Sequence, residues 1–296
     1  MPGTVTEQPV ACIGVVVHPS RNIDRPLDRL RQWAGEHGVT IAQVAVPGQH
    51  RAVAEAGEAG GCDLVVSIGG DGTMLAAIRA AVAADLPVLG VSCGSLGVLT
   101  AVSADVLPAA LDRFRAGDWT PRVLPALNVT RADGPDLFAL NDVVVMRNGI
   151  GQVRVTSRVD GTLVSRLAGD GCIVSTALGS SAYSLAAGGP LLAPGTDAYV
   201  VTPLATHGGS RHTLVVPAAS ELALEVTAGM GGARLELDGQ VVGGSPQELG
   251  IRLRHGVATL VGFDDQEPLF TSLRRRGILA DSPRIVADGA RHTPVP

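Results

Sequence analysis

The first 118 residues alternate short apolar runs with helical patterns, and this alternation constrains the fold more than any other feature of the chain. Strand, glycine turn and helix in repetition predict a parallel sheet covered by helices, with ligands bound at the carboxyl ends of the strands. We therefore predict an α/β domain over residues 1–120. Its strands are predicted at 11–17, 40–46, 64–68 and 87–91, and its helices at 24–35, 73–83 and 105–116.

The pattern changes to a period of two after residue 120. Apolar and polar residues alternate in segments separated by Gly, Pro and Asp clusters, which predicts antiparallel β-structure over 121–263. The clearest of these segments are 153–159, 222–226, 234–237 and 251–254. We expect 264–280 to complete the first domain. Residues 281–296 contain three prolines and few bulky apolar residues, which predicts a flexible tail.

The chain contains no lysine, because all 23 of its Lys and Arg residues are arginine. A Walker P-loop and a protein kinase each need a lysine on the nucleotide phosphates, and Schiff-base catalysis needs a lysine amine. The sequence excludes these three classes. A phosphate group bound by this chain must contact backbone amides, arginine or a metal ion.

The net charge, an apolar run near the N-terminus and the cysteines indicate which partners and which compartment to expect. The formal net charge of −5 argues against a nucleic-acid partner. The apolar run at 10–17 is too short to span a bilayer, so we expect a cytoplasmic protein without membrane contact. The four cysteines form no Cys-x-x-Cys pair, which favours small core residues over a metal cage or a disulfide framework.

The segment SIGGDGTMLAA, residues 67–77, carries the first chemical motif. A predicted strand ends in glycines around Asp71, and a helix follows directly. Glycines allow close approach of a ligand to the backbone, and a helix N-terminus offers amides to phosphate. Asp71 would then lie beside the phosphates, as a magnesium ligand or as a base for a hydroxyl nucleophile. The alternative is a tight turn with a capping aspartate.

The segment GDGCIVSTALGSSAYSLAAGGP, residues 169–190, is the second motif. Small residues and hydroxyls within it leave room for a flat heterocycle and offer adaptable hydrogen bonds. A serine-rich loop without a ligand is the alternative.

Two shorter motifs accompany the 169–190 segment. Asn141-Asp142 suits an adenine edge and a ribose hydroxyl or an ordinary turn, and Asp238-Gly239 predicts a hairpin turn.

Together the four motifs resemble the NAD kinases that use ATP or polyphosphate, over nearly the whole chain. Members have Gly-Gly-Asp-Gly after a strand, an LGFL segment (here LGVL, 96–99), an Asn-Glu pair, a GDG…STPTGSTAY…GGP block and a late Asp-Gly. The resemblance implies a Rossmann-like amino-terminal domain and a carboxyl-terminal β-sandwich. It also implies substrate between the domains, a homodimer or homotetramer, and phosphoryl transfer from ATP or polyphosphate to the adenosine ribose 2′-hydroxyl of NAD, giving NADP.

The resemblance also implies roles for individual residues. Asp71 would be the general base, and a divalent cation such as Mg²⁺ would be held by the phosphates, with Asp71 as the candidate protein ligand. The loop that binds phosphate would comprise Gly69, Gly70, Gly72 and Thr73. The residues assigned to NAD are Asn141, Asp142, Asp170 at the nicotinamide end, Ser175, Leu178, Ser181, Ala182, Tyr183 and Asp238. Arginines that could assist are Arg79, Arg147, Arg166 and Arg211, although each is also consistent with a surface position.

Several positions differ from the family pattern. Ala177 and Leu178 replace a proline and a hydroxyl residue, and Asp142 is shorter than the usual glutamate. Ser92, Ser95 and Val98 also depart from the residues that are common in the family. One lost buried hydrogen bond costs about 1–3 kcal/mol, which alters substrate preference without abolishing a site.

Three functions remain open from the sequence. The first is a phosphotransferase with an alcohol acceptor that makes NADP from NAD. The second is a kinase of the same fold that acts on another hydroxyl-bearing nucleotide or a specialised metabolite, as Leu178, Asp142 and Val98 would favour. The third is a non-catalytic regulatory protein that binds NAD(P), against which the intact Asp71 argues.

Overall fold

The computed structural model of the chain describes residues 9–94, 97–132, 134–208, 212–264 and 267–286. The strands are β1 Cys12–Val17, β2 Thr40–Val44, β3 Glu55–Gly57, β4 Leu64–Gly69, β5 Pro87–Ser92, β6 Val102–Ser103, β7 Thr120–Arg131, β8 Leu137–Ala139, β9 Asp142–Arg147, β10 Val153–Val159, β11 Thr162–Gly169, β12 Gly171–Thr176, β13 Ala198–Leu204, β14 Leu214–Pro217, β15 Leu222–Thr227, β16 Ala233–Leu237, β17 Gln240–Val241 and β18 Glu248–Gly262. The α-helices are α1 Asp24–His37, α2 Asp71–Val82, α3 Leu107–Arg115, α4 Tyr183–Ala186 and α5 Leu269–Arg275.

The chain divides into two compact units. Unit 1 comprises Met1–Ala80, Val88–Thr120 and Val261–Pro296, and unit 2 comprises Ala81–Pro87 and Pro121–Leu260. Unit 1 therefore contains the glycine loop and helix α5, which come from distant parts of the sequence. Unit 2 contains the Asn-Asp pair, the serine-rich block and the late Asp-Gly.

Unit 1 is built on a parallel sheet in the order β5-β4-β1-β2-β3, with β6 beside β5. Strand β4 is buried along its whole length, as a central parallel strand covered on both faces should be. Helices α1 and α3 bury apolar faces against the sheet, with Leu30, Trp33, Leu111 and Phe114 in one core with the strands. Parallel strands align their carboxyl ends, so the loops after β1, β4 and β5 lie at one edge of this sheet.

Some helices differ from the predicted bounds for local reasons. Helix α2 begins at Asp71, two residues earlier than predicted, because a carboxylate in the first turn complements the helix dipole. Helix α1 continues to His37, because it ends at Gly38, whose φ of 67° is the left-handed conformation that glycine adopts without strain. Helix α3 begins at Leu107 rather than at 105, with Pro108 in its first turn.

Unit 2 contains two antiparallel sheets. One has the order β11-β10-β15-β18, with β7 beside β18 and β8 beside β7, and the other has the order β14-β13-β12-β9-β16-β17. A single core draws on both sheets and includes Leu127, Val155, Val174, Tyr199 and Leu235. Apolar side chains from facing sheets in one core define a β-sandwich. The predicted fold class, a Rossmann-like α/β domain with a β-sandwich, is confirmed.

The period-two pattern predicted the bounds of some strands of unit 2 but not of others. Strand β10 has the predicted bounds, whereas β18 runs from Glu248 to Gly262 and is far longer than the predicted 251–254. Strands β7, β11, β13 and β14 had no individual prediction. Asp238-Gly239 forms the predicted hairpin turn, since Leu237 pairs with Gln240 and both turn residues have positive φ, 48° and 78°.

The cysteines are unbridged. Cys62 and Cys172 are buried, and burial raises the pKa of both thiols; Cys12 and Cys93 are partly exposed. The Sγ atoms of Cys12 and Cys62 lie 3.3 Å apart. In the described part of the chain, no helix is long and apolar enough to cross a membrane.

Candidate functional site

The glycine loop of unit 1 joins a buried strand directly to a helix. Strand β4 ends at Gly69, and α2 begins at Asp71, with the Met74 amide donating to the Gly70 carbonyl at 3.0 Å. A β-carbon at Gly69 would lie 2.3 Å from Oγ1 of Thr73, so no larger residue fits there. The first amides of a helix have no partner within it, which leaves those of the first turn of α2 for an anion.

The Asp71 side chain is fixed by the loop that follows β5. Its Oδ2 accepts a hydrogen bond from the Val98 amide at 3.2 Å, and its Oδ1 accepts one from the Leu99 amide at 3.0 Å. The side chain is still 30% exposed. An ionised carboxylate has lone pairs left after two such bonds, so Asp71 is both oriented and able to accept a proton. The sequence did not show that the LGVL segment holds this carboxylate.

Two guanidinium groups lie at the same loop. Arg276 Nη1, just after helix α5, is 3.5 Å from Asp71 Oδ2. A β-carbon at Gly70 would lie 3.6 Å from Nη1 of Arg21, which follows strand β1. Neither arginine is among the four that the sequence suggested could assist in binding phosphate. Their proximity to the loop depends on contacts between segments that are far apart in the sequence.

Gly97→Ala is expected to impair phosphoryl transfer while leaving the fold intact. A β-carbon at Gly97 would lie 2.1 Å from Asp71 Oδ1, so the carboxylate would have to leave the Val98 and Leu99 amides. Misplacement of a reacting group by about 1 Å costs about 100-fold in rate. Steady-state kinetics of the purified variant measures the loss in kcat.

The control for this variant is Gly35→Ala in helix α1, where an added β-carbon meets nothing within 4 Å. Both variants should unfold within a few degrees of the parent chain. A Gly97→Ala enzyme with the kcat of the Gly35→Ala enzyme would contradict the role of this close contact.

In unit 2, the turn of the late Asp-Gly motif holds the Asn-Asp pair. The Asp238 carboxylate accepts hydrogen bonds from the amides of Leu140, Asn141 and Asp142 at 3.0, 2.7 and 3.1 Å. The Asp238 amide donates to the Asp142 carbonyl at 2.9 Å. These contacts engage both Asp238 oxygens, which makes Asp238 a positioning residue for Asn141.

The serine-rich block contacts the same pair from a second direction. Thr176 donates from its hydroxyl to the Leu140 carbonyl at 2.7 Å and from its amide to the Asn141 carbonyl at 2.9 Å. The Gly179 amide donates to the Thr176 hydroxyl at 3.0 Å. A β-carbon at Gly179 would lie 2.0 Å from the Asn141 carbonyl oxygen, so glycine is required. Three motifs that are far apart in the sequence thus form one cluster in unit 2.

An ion pair lies at the end of strands β9 and β12 opposite to the Asn-Asp pair. Arg147 Nε is 2.5 Å from Asp170 Oδ1, and Arg147 Nη1 donates to the Gly149 carbonyl, so Arg147 is engaged in an ion pair.

Tyr183 is partly exposed. Burial, and then the nearby Glu236 carboxylate, raise the pKa of its hydroxyl. Its hydroxyl is protonated at neutral pH, as that of any ordinary tyrosine is, and can donate a hydrogen bond.

The other predicted residues occupy varied environments. Ser175 is fully buried in β12, with no hydrogen-bond partner for its hydroxyl in the described part of the chain. Leu178 is partly buried, and its carbonyl accepts the Ser181 hydroxyl at 3.1 Å, while Ala182 is exposed. Contact of these four residues with NAD stays a prediction. Ser95, Leu96 and Arg211, together with the tail beyond residue 286, lie outside the described residues.

The side chains that the structure describes offer no metal cage of their own. Across the described ranges, no group of three or more His, Cys, Asp and Glu side chains is placed to hold a metal ion. Mg²⁺ commonly keeps several waters and binds one or two carboxylates together with substrate phosphates. Asp71, partly exposed at the glycine loop, fits that mode of binding.

A glycine loop at the start of a helix, an oriented carboxylate and nearby guanidinium groups form a site suited to phosphoryl transfer, the chemistry of a phosphotransferase. The model of the ATP-NAD kinase N-terminal domain matches residues 13–119, and that of the ATP-NAD kinase C-terminal domain matches residues 140–261. The chain belongs to the NAD kinase family.

Two NAD kinases are similar in sequence to this chain over most of its length. NAD kinase 1 of Streptomyces coelicolor is 33% identical over 96% of this chain and 89% of its own length. The NAD kinase of Koribacter versatilis is 35% identical over 77% of this chain and 84% of its own length.

Solved structures share the fold. Yeast NADH kinase complexed with NADH matches with a TM-score of 0.73 at 19% identity, over 90% of this chain and 87% of its own. An NAD kinase from Archaeoglobus fulgidus in complex with ATP matches with a TM-score of 0.70 at 24% identity, over 90% of this chain and 98% of its own.

Proposed function

We propose that this chain transfers the γ-phosphoryl group of ATP to the 2′-hydroxyl of the adenosine ribose of NAD, giving NADP and ADP. The observation that carries the proposal is the Asp71 carboxylate, held by the Val98 and Leu99 amides at the start of α2. A regulatory protein that only binds NAD would not need an oriented, partly exposed base at a phosphate-binding loop. Membership of the NAD kinase family supports the same reaction.

Asp71 acts as the general base in this reaction. The 2′-hydroxyl oxygen attacks the γ-phosphorus, its proton passes to the Asp71 carboxylate, and the bond from phosphorus to the β,γ-bridging oxygen breaks to release ADP. Phosphoryl transfer depends chiefly on positioning and on neutralising charge. The residues that bind the phosphates are Gly69, Gly70, Gly72 and Thr73, through the loop backbone and the first turn of α2.

NAD is recognised through the cluster in unit 2. Asn141, which Asp238 and Thr176 position, binds the adenine edge, and Asp142 binds a ribose hydroxyl. Tyr183, with its protonated hydroxyl, lines the pocket for adenosine together with Ser181 and Ala182. Asp170 lies toward the nicotinamide end, and Arg147 balances its charge. Ser175 and Leu178 complete the set of residues that we assign to NAD.

A divalent cation accompanies the donor. Mg²⁺ would be held by the phosphates, with Asp71 as its protein ligand. When bound, it would neutralise charge on the transferring phosphoryl group. Inorganic polyphosphate is a second donor that the same loop would accommodate, because backbone amides at a helix N-terminus contact phosphate oxygens without reading the nucleoside.

We further propose that the protein acts in the cytoplasm as a homodimer or homotetramer. Disulfides are rare in the cytoplasm, and the four cysteines of this chain lack the spacing of a disulfide framework. The strand β11 ends the order of its sheet and exposes Leu163 and Val164. Exposed apolar side chains on an edge strand favour pairing with a second copy.

A second candidate function is transfer to a different hydroxyl-bearing nucleotide or metabolite. Asp142 is only 5% exposed, which limits the reach of its short carboxylate toward a ligand. Leu178 presents an apolar side chain at a position where the STPTGSTAY pattern of the family has a hydroxyl residue. Both features reduce the polar contacts available to the adenosine ribose.

Leu178→Thr is expected to strengthen NAD binding about fivefold, because a neutral hydrogen bond contributes about 1 kcal/mol. The Leu178 carbonyl already holds the Ser181 hydroxyl through the backbone, so the loop should persist. Isothermal titration calorimetry measures the change in Kd. Leu178→Val is the matched control, since valine has the shape of threonine without its hydroxyl. Weaker NAD binding by the threonine variant than by the valine variant would show that the hydroxyl does not face NAD.

An acceptor panel distinguishes the two candidate functions. The purified protein is incubated with Mg²⁺-ATP and NAD, NADH or nucleosides, and phosphorylated products are scored by mass spectrometry. We expect NAD to be the acceptor with the highest kcat/KM, and NADP to be its product. A different phosphorylated acceptor would favour the second candidate, and binding of NAD without any product would favour a regulatory protein.

A further inference from the structure

Three consecutive arginines lie at the end of helix α5, and they differ in their partners. Arg274 pairs with Asp281 at 2.6 Å, and Arg275 pairs with Glu267 at 2.8 Å, both within a few residues in the sequence. Arg276 instead points to the glycine loop, where its Nη1 lies 3.5 Å from Asp71 Oδ2. One guanidinium of the three is therefore directed to the phosphate-binding loop.

The backbone fixes the position from which Arg276 extends. The Arg276 amide donates to the Ser272 carbonyl, and the next two amides donate back to Arg274 and Leu273, each at 3.0 Å. Gly277 has a φ of 73°, which completes the Schellman pattern that ends many helices. Leu273 is fully buried and anchors this turn. The Arg276 side chain therefore extends from a helix end whose backbone is fixed by hydrogen bonds.

The Arg276–Asp71 contact leaves donors free on the guanidinium. Charge-assisted hydrogen bonds between arginine and carboxylate are about 2.7–2.9 Å long, whereas this contact is 3.5 Å. A guanidinium has five donors in a planar fork that matches phosphate oxygens. The Arg276 side chain is 31% exposed, so these donors are accessible to an anion.

The charges around the loop favour a polyanion. Arg21 lies at Gly70, and in the described part of the chain no carboxylate pairs with its side chain. One guanidinium beside Gly70 and one beside Asp71 thus lie at the same loop as the positive end of α2. The chain has no lysine, so positive side-chain charge for phosphates must come from arginine.

We propose that Arg276 binds the phosphoryl groups of the donor triphosphate, in the role that lysine has in other nucleotide-binding proteins. When the donor binds, the guanidinium contacts phosphate oxygens and remains close to Asp71. It would then stabilise the negative charge on the phosphoryl group that is transferred. This inference rests on the proposed function, because it assigns the donor to the Asp71 loop.

The test compares Arg276→Gln with Arg275→Gln, its neighbour, which pairs with Glu267. The Kd for Mg²⁺-ATP is measured by calorimetry without acceptor, and kcat and KM are measured with NAD. Losing a hydrogen bond to a charged group costs enough to weaken binding about 10- to 100-fold. We expect Arg276→Gln to raise the Kd for ATP by that factor, to lower kcat, and to leave the Kd for NAD within twofold.

Arg276→Lys supplies the rescue, since an ammonium group restores the charge without the planar fork. Its Kd for ATP should lie between those of the parent chain and the glutamine variant. Arg276→Met, which keeps an aliphatic side chain without charge, replaces the glutamine variant if that variant fails to fold.

An Arg276→Gln protein that binds ATP as tightly as Arg275→Gln would overturn the proposal. A parent chain that binds no ATP would overturn it as well. Because ATP binding is measured without acceptor, a chain that binds ATP through Arg276 and makes no NADP would contradict only the proposed function.

Discussion

Asp71→Asn is expected to lower kcat about 1,000-fold, because general-base catalysis contributes about 10²–10⁴ in rate. An asparagine side chain has nearly the same size, and its oxygen can still accept one of the amide bonds from Val98 and Leu99. The loop should keep its conformation, and the Kd for NAD should remain within about threefold. The variant therefore removes proton acceptance with little change in NAD binding.

Pre-steady-state measurement of NADP formation separates chemistry from product release in this variant. Asp63→Asn is the control, since Asp63 also accepts two backbone amides, from Ala11 and Cys12, and precedes strand β4, at the opposite end of the strand from the glycine loop. Turnover by Asp71→Asn at the rate of the parent chain would remove Asp71 from the chemical step.

Asp238→Ala is expected to lower the free energy of unfolding by about 3 kcal/mol, because charge-assisted hydrogen bonds to three backbone amides are lost and the amides of buried segments stay unpaired. Alanine is also disfavoured at a φ of 48°. Urea denaturation measures the loss. The KM for NAD should rise, since Asn141 would no longer be held.

Asp160→Ala provides the comparison for Asp238→Ala. Asp160 also begins an Asp-Gly turn with a φ of 48°, and its carboxylate accepts a hydrogen bond from the Glu221 amide at 2.9 Å. Its variant should lose stability without a change in the KM for NAD. If both variants had the same KM for NAD, Asp238 would be a turn residue alone.

Local signals in the sequence predicted much of the fold and part of the site. The strand, glycine loop and helix at 64–82 follow from hydrophobic periodicity and glycine, and the hairpin at Asp238-Gly239 follows from turn chemistry. Both depend on interactions between neighbours in the sequence. The buried strand β4 and the first turn of α2 accordingly appear close to where they were predicted.

Contacts between distant segments could not be predicted in this way. Arg276 lies in a run of three arginines, and nothing local distinguishes the residue that reaches Asp71 from those that pair with Asp281 and Glu267. The amide bonds from Val98 and Leu99 to Asp71 likewise depend on how the loops after β4 and β5 meet at one sheet edge. Such contacts need the sheet order, which periodicity does not supply.

The most direct test of the proposed function follows the labelled phosphoryl group. The purified chain is given Mg²⁺ with γ-³²P-ATP and NAD, and the dinucleotide product is assayed with a dehydrogenase that accepts only 2′-phosphorylated NADP. We predict that the label appears in NADP at a rate that falls about 1,000-fold in Asp71→Asn. A folded parent chain that binds ATP and NAD but transfers no label to NAD would contradict the proposed function.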